Sequence, residues 1–169
     1  MLRYAKLCGC AGLMALAAGC SSAPPILPEN HEADVQAVKD LDAAWVKEYA
    51  AKDLDKAVDN YADDATLMIA NMPILNGKEA IRASLKELLA DPRFALNFQA
   101  VKVEASKAGD LVYTQGTYTM TVSSDPKSPK NKPINDKGKY LTIYRKSADG
   151  SFKAIEDINN SDLPMPGAK

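Results

Sequence analysis

The chain has 169 residues, 46% of them hydrophobic, and a formal net charge of −1. Acidic and basic residues are interleaved, and the one stretch of biased composition is a proline- and lysine-rich loop at residues 123–139. Nucleic-acid binding requires a concentrated positive surface, so this charge pattern argues against it. All three cysteines lie at or before Cys20, so the rest of the chain can form no disulfide.

The amino terminus has the pattern of an export signal. Arg3 and Lys6 precede an uncharged, largely apolar stretch at residues 7–18. This stretch is shorter than the ~20 residues that a membrane-spanning helix needs, and small residues follow it, as in a cleaved secretory signal. The sequence Leu-Ala-Ala-Gly-Cys that ends at Cys20 resembles the lipobox of bacterial lipoproteins.

The lipobox resemblance implies a membrane anchor. Residues 1–19 would be removed, Cys20 would be acylated, and residues 20–30, with three prolines, would form a short stiff tether. Several acyl chains on one cysteine would attach the protein stably to the lipid bilayer. Ser21 follows the cysteine where an aspartate would favour inner-membrane retention, so the resemblance implies the outer membrane, facing the periplasm. The alternative is an ordinary cleaved signal with a chance cysteine.

Helices are predicted first along the remaining chain. Apolar residues recur at helical spacing over residues 31–51. Asp53 has the character of an N-cap for a second helix whose apolar stripe ends at Tyr61. A short strand is predicted at residues 66–70, then a loop, and then a third helix at residues 78–89.

Strands dominate the second half. Residues 94–105 alternate with a period of two, but the apolar parity changes midway, which predicts a β-bulge near Gln99. Further strands are predicted at residues 111–122, 139–146 and 152–158, the last two joined by a turn at Asp149 and Gly150. This order predicts an α+β domain in which three helices pack on a curved antiparallel sheet and leave a cavity.

Several segments resemble the nuclear transport factor 2-like superfamily, in its SnoaL-like and calcium/calmodulin kinase association-like branch. They are Tyr-Ala-Asp-Asp-Ala-Thr at residues 61–66, Asn-Gly-Lys-Glu-Ala-Ile at 76–81, Asp-Leu-Val-Tyr-Thr-Gln-Gly-Thr-Tyr at 110–118 and Gly-Lys-Tyr-Leu-Thr-Ile-Tyr-Arg-Lys at 138–146. The resemblance implies a cone-shaped fold over residues 31–163, followed by a tail at 164–169. Fold does not determine activity, because relatives with one fold carry different sites.

The resemblance also argues against isomerase chemistry. Counting from the motifs places Ile69 where the ketosteroid isomerases have their carboxylate base, and an isoleucine cannot accept a proton. It places Trp45 where they have a tyrosine donor and Thr142 where they have a second acid. The single histidine, His31, lies near the tether, and the acidic pair at residues 63–64 has no histidine or cysteine beside it. No metal or other cofactor is therefore expected.

Strand alternation, counted from the family motifs, predicts a pocket lined by aromatic and polar side chains. The predicted lining consists of Trp45, Tyr49, Leu67, Ile69, Tyr113, Gln115, Thr117, Tyr140, Thr142, Tyr144, Ile155, Asp157 and Asn159. The alternative is that the tyrosines fill the cone as core and bond one another.

Asp157 is the candidate acid or base, because desolvation would raise its pKa. Its alternative role is structural, with tyrosine or Gln115 donors satisfying the carboxyl group or with the side chain pointing to solvent. Two functions follow. One is a membrane-anchored module that binds a small apolar or aromatic ligand or assists assembly. For this module, the resemblance implies a homodimer that forms through the open face of the sheet. The other is an enzyme of the polyketide cyclase, dehydratase or hydrolase type.

Overall fold

A computed structural model describes residues 31–125 and 132–164 of the chain. The predicted signal at residues 1–19, the lipidation site Cys20, the tether up to residue 30 and all but the first residue of the predicted tail lie outside these ranges. None of the helices in the described ranges is long and apolar enough to cross a membrane.

Three helices form close to their predicted positions. Helix α1 spans Glu32–Ala50, α2 spans Leu54–Asp59 and α3 spans Lys78–Ala90. The Asp53 carboxylate accepts a hydrogen bond of 3.2 Å from the Lys56 backbone N–H, which confirms the predicted N-cap of α2. Two of the helices precede the first strand, and α3 follows the second, so only α1 and α2 are truly amino-terminal.

In the described ranges, six strands form one sheet. They are β1 Tyr61–Met68, β2 Leu75–Asn76, β3 Ala95–Ala105, β4 Leu111–Ser123, β5 Pro133–Lys146 and β6 Phe152–Ser161. The spatial order is β2-β1-β6-β5-β4-β3. All neighbours are antiparallel except β1 and β6, which run parallel, so the predicted purely antiparallel sheet was wrong for this one pair.

Strand pairing explains where the predicted boundaries were wrong. Tyr61 is the first residue of β1 and not the end of α2, because it pairs with Ala154 of β6. The predicted loop after β1 contains β2, which pairs with β1. Strand β5 begins six residues early, at Pro133, opposite Ser123 of β4, and proline is tolerated at the first residue of a strand.

The predicted bulge in β3 is present. The β3–β4 register shifts between Ala100 and Lys102, and Val101 between them is 78% exposed. Phe98 before the bulge and Val103 after it pair with Tyr118 and Thr114 of β4, and both thus face the helices. A bulge bends its strand, and β3 is the edge strand that contacts α1.

The core lies between the helices and one face of the sheet, called the inner face here. The inner face carries buried Val112, Tyr144 and Ala154, and α1 covers it with Trp45 and Tyr49. The Trp45 indole N–H donates a hydrogen bond of 3.0 Å to the Ala57 carbonyl oxygen, which joins α1 to α2. The first helix is thereby held over the sheet.

Candidate functional site

A small cavity remains between α1 and the inner face. Its volume is about 70 Å³, which is the space of roughly two water molecules. The residues that line it come from α1 and from four neighbouring strands. They are Trp45, Leu96, Phe98, Tyr118, Tyr140, Thr142, Asp157 and Asn159.

Asp157 is the one acidic group in the cavity wall. Its Oδ2 accepts a hydrogen bond of 2.8 Å from the Tyr61 hydroxyl, and its Oδ1 accepts one of 3.0 Å from the Thr142 hydroxyl. Desolvation raises the pKa of Asp157 to about 6, although both hydrogen bonds oppose the rise. The carboxyl group can therefore change protonation state close to neutral pH.

Asp42 is a second enclosed acid, which the sequence reasoning missed. It lies on α1 and is 5% exposed. The Tyr144 hydroxyl donates a short hydrogen bond to its Oδ1, and the Tyr140 hydroxyl donates one of 3.3 Å to its Oδ2. Burial raises the pKa of Asp42, while these hydrogen bonds lower it. The signal was available, because Asp42 follows Val38 by four residues and is thus in the apolar stripe of α1.

Thr114 completes this inner polar network without a hydrogen bond of its own. Its side chain is fully buried beside Asp42 and Tyr140, opposite Thr142 of the cavity wall. Its Oγ1 has no hydrogen-bond partner. Asp42 and Tyr140 are nevertheless its polar neighbours, because the Thr114 hydroxyl lowers the pKa of both.

Five of the predicted pocket residues do line the cavity: Trp45, Tyr140, Thr142, Asp157 and Asn159. The structural alternative for Asp157 supposed tyrosine or Gln115 as hydrogen-bond donors to its carboxyl group. The donors are Tyr61 and Thr142, and Gln115 is not among them.

Four other predicted residues belong to the core around the cavity. Tyr49 and Tyr144 are buried, and both make ring contacts with Trp45. Leu67 is buried beside Asp157 in the parallel pairing, and Ile69 is half-buried against the same core.

Three residues that were predicted to line the pocket lie on the opposite face of the sheet. Tyr113, Gln115 and Thr117 point to the outer face of the sheet, and Tyr113 donates a hydrogen bond of 2.6 Å to Glu104 there. The reason is the register of β4 against β5, which aligns Thr114 with Thr142. Inner positions in β4 therefore fall on the even-numbered residues, and a shift of one residue reverses every side chain.

Ile155 was also misplaced. The β5–β6 register shifts so that Ile143 pairs with Glu156 while Tyr144 pairs with Ala154, and Ile155 is the extra residue between them. Ala154 takes the buried position that alternation had given to Ile155. Asp157 keeps its inner position opposite Thr142 because it follows the bulge.

The residues at the positions of the isomerase catalytic groups are occupied in other contacts. The Trp45 N–H is engaged by a backbone carbonyl, Thr142 bonds to Asp157, and Ile69 packs against the core. No group of three acids, histidines or cysteines in the described part of the chain could hold a metal ion. His31, at the start of α1, is half-buried against the turn at Gly109 and does not line the cavity.

Comparisons with known proteins agree with this architecture. A family model for the SnoaL-like domain matches residues 43–155. A ketosteroid isomerase-like protein from Erwinia carotovora atroseptica superposes with a TM-score of 0.62 at 20% identity, over 76% of this chain and 96% of that one. A Xanthomonas campestris protein named for the calcium/calmodulin-dependent protein kinase II association domain gives a TM-score of 0.60 at 21% identity, over 87% of this chain and 95% of that one.

A third solved structure, from Novosphingobium aromaticivorans and named for an aromatic ring hydroxylase, gives a TM-score of 0.64 at 17% identity, over 78% of this chain and 91% of that one. At these identities the likeness shows a shared fold. No curated protein sequence matches the chain. The family match over most of the domain means that this chain belongs to the SnoaL-like domain family of the nuclear transport factor 2-like superfamily.

Proposed function

We propose that the domain binds a small molecule in the cavity beneath Trp45, on an exported protein that a lipid on Cys20 attaches to the outer membrane, facing the periplasm. The observation that supports binding is the position of Asp157 in the wall of a cavity that four aromatic side chains also line. A small-molecule site commonly combines apolar walls with a few polar groups that orient the ligand.

The size of the cavity limits what it can hold. A volume of about 70 Å³ is well below the roughly 300 Å³ at which drug-sized pockets begin. The cavity therefore accepts the head of a ligand, and the remainder of a larger ligand would displace half-buried side chains such as Leu96. A tightly filled cone would have left no such space.

An enzyme with Asp157 as acid or base is the second candidate. The observation that favours it is the pKa of Asp157, which at about 6 suits proton transfer near neutral pH. The reaction class would be that of a polyketide cyclase, dehydratase or hydrolase. A screen of such substrates with the wild type and Asp157→Asn separates the candidates, since an enzyme loses turnover in this variant while it keeps its fold.

Ligand retention tests the binding proposal. Native mass spectrometry of the detergent-solubilised protein, with ligand-observed NMR of a fragment library, is performed on wild type, Leu96→Phe and Val101→Phe. Leu96 lines the cavity, and Val101 is exposed on the same strand and serves as the matched control. Ligands should be lost in Leu96→Phe alone. Absence of any ligand for the wild type, or equal binding by all three proteins, would contradict the proposal.

The anchor has an independent test. The wild type should incorporate radiolabelled palmitate and fractionate with the outer membrane, whereas Cys20→Ala should remain unlabelled. Cys10→Ala, within the predicted signal, is the control and should be labelled as the wild type. Label in Cys20→Ala would exclude Cys20 as the lipidation site.

We further propose that the protein forms a homodimer through the outer face of the sheet. That face has an apolar depression of about 380 Å³ that includes Leu111, Leu141 and Ile143. Sedimentation analysis of the wild type and Leu141→Lys should show a dimer and a monomer, respectively. A monomeric wild type would refute this proposal.

A further inference from the structure

Among the described residues, the charged group that acts on Asp157 is a second acid, Asp42. The titratable groups that act on Asp157, or that its charge acts on, come from α1, β1 and β5. They are Asp42, Tyr49, Tyr61, Tyr140 and Tyr144. Within the described ranges, every ion pair of a lysine, arginine or histidine involves an acid other than Asp42 or Asp157.

Such an arrangement is electrostatically incomplete. An enclosed carboxylate loses the solvation of water, and proteins usually offset this loss with a cation. Tyr61 and Thr142 supply one hydrogen bond each to Asp157, but neither supplies positive charge. Asp42 makes the charged form of Asp157 still less favourable, because its own negative charge disfavours ionisation of Asp157.

The aromatic walls point to the same missing charge. The rings of Trp45, Phe98, Tyr118 and Tyr140 border the cavity, and the faces of aromatic rings attract cations. The two cation–ring contacts in residues 31–125 and 132–164 involve Tyr113 and Phe152, which do not line the cavity. The rings of the cavity therefore have no cation from the described residues.

The polar network continues behind the wall of the cavity. Thr114 is fully buried beside the Asp42–Tyr140 pair and opposite Thr142, and neither Thr114 nor Asp42 lines the cavity. The cavity itself is bordered by one acid, Asp157, and by four aromatic rings. A ligand that donates hydrogen bonds would satisfy the oxygen atoms around it.

We infer that the cavity is a site for a small organic cation, with a primary ammonium group that donates to Asp157 and an alkyl stem that contacts Trp45 and Phe98. This inference rests on the proposed function and names its ligand class. A volume of about 70 Å³ holds an ammonium group with one or two carbon atoms, and the rest of a longer amine lies outside. A neutral donor would leave the carboxylate charge uncompensated, so it binds more weakly.

Trp45 allows a direct test, because it is the only tryptophan of the chain and borders the cavity. Its fluorescence is followed while the detergent-solubilised full chain is titrated at pH 7.5 with n-propylammonium, 1-propanol or propionate. These probes share a length and differ in charge. We expect n-propylammonium to bind at least about tenfold more tightly than 1-propanol, and propionate not to bind.

Variants and pH give a second measurement. Asp157→Asn should weaken n-propylammonium binding by at least about tenfold, whereas Asp63→Asn, at a side chain that is 99% exposed, should not change it. For the wild type, affinity should fall as pH falls through about 6, because Asp157 becomes protonated there. Circular dichroism establishes that each variant is folded, and the pH series needs no variant.

The outcomes separate the two proposals. If 1-propanol binds as tightly as n-propylammonium and Leu96→Phe abolishes both, the cation inference is wrong while small-molecule binding stands. If no probe changes the Trp45 signal and no fragment binds, both are wrong. If the affinity for n-propylammonium does not depend on pH or on Asp157, the cation inference is wrong and the small-molecule binding proposal stands.

Discussion

Replacement of Asp157 by asparagine should change how the stability of the domain depends on pH. Enclosure raises the pKa of the carboxyl group from 3.8 to about 6, with desolvation as the largest cause. Each unit of pKa corresponds to about 1.4 kcal/mol. The ionised group therefore costs the folded state about 3 kcal/mol at neutral pH.

The direction of the change in stability with pH follows from proton binding. Between pH 3.8 and about 6 the folded state holds a proton on Asp157 that the unfolded state has released. Stability of the wild type is therefore lost as pH rises through this window, and the loss is constant above it. Asparagine keeps the shape of the side chain and has no charge to desolvate, so it removes this dependence.

The assay is urea unfolding of the soluble domain, followed by Trp45 fluorescence, at half-unit intervals from pH 4 to 8. The unfolding free energy of Asp157→Asn minus that of the wild type should rise by about 3 kcal/mol up to pH 6 and then level off. Asp63→Asn, at a highly exposed position, is the control and should give a nearly flat difference. A flat difference for Asp157→Asn would refute the reasoning.

Three further substitutions test the packing and polar network. Asp42→Ala leaves two enclosed tyrosine hydroxyls without an acceptor and should lower the unfolding free energy by about 3 kcal/mol in a urea titration. The control Asp40→Ala, at an exposed position, should change the unfolding free energy by under about 0.5 kcal/mol. Gly116→Ala places a methyl group 2.1 Å from the Gln99 carbonyl oxygen and should cost more than about 3 kcal/mol by thermal melting. Gly150→Ala meets no atom within 4 Å and should cost only about 1 kcal/mol, because Gly150 has a φ of +85°. Asp91→Ala removes acceptors from a buried backbone N–H and hydroxyl of β4, each at 2.6 Å, and should lower the melting temperature by about 5 °C or more; an unchanged value would show that this link is not needed.

The elements of the fold could be predicted because their local signals agree. The apolar stripe of α1, the Asp53 cap and the parity change in β3 each have a direct physical cause that is visible along the chain. Pairing partners have no such local signal. The parallel partner of Tyr61 lies more than ninety residues away at Ala154, and the early start of β5 at Pro133 depends on the length of β4.

The inner face of β4 could not be deduced from composition. Within residues 113–118, Tyr113 and Thr117 have one parity and Thr114 and Tyr118 have the other, so each face offers a tyrosine and a threonine there. The register with β5 decides between them, and this is a long-range property. Asp42 was overlooked for a different reason: an acid in an apolar stripe is usually taken as an interruption, although its spacing from Val38 places it on the buried side of α1.

The parallel pairing of β1 with β6 has a consequence for the timing of folding. Strand β1 is made early, yet apart from the two-residue β2 its sheet neighbour is β6, the last strand in the described ranges. A nascent chain that lacks residues beyond 151 cannot close this contact, and such distant pairings are slow to form. Completion of the domain is thus postponed until β6 has been synthesised, and if the protein is exported as proposed, the chain would stay unfolded and threadable until then.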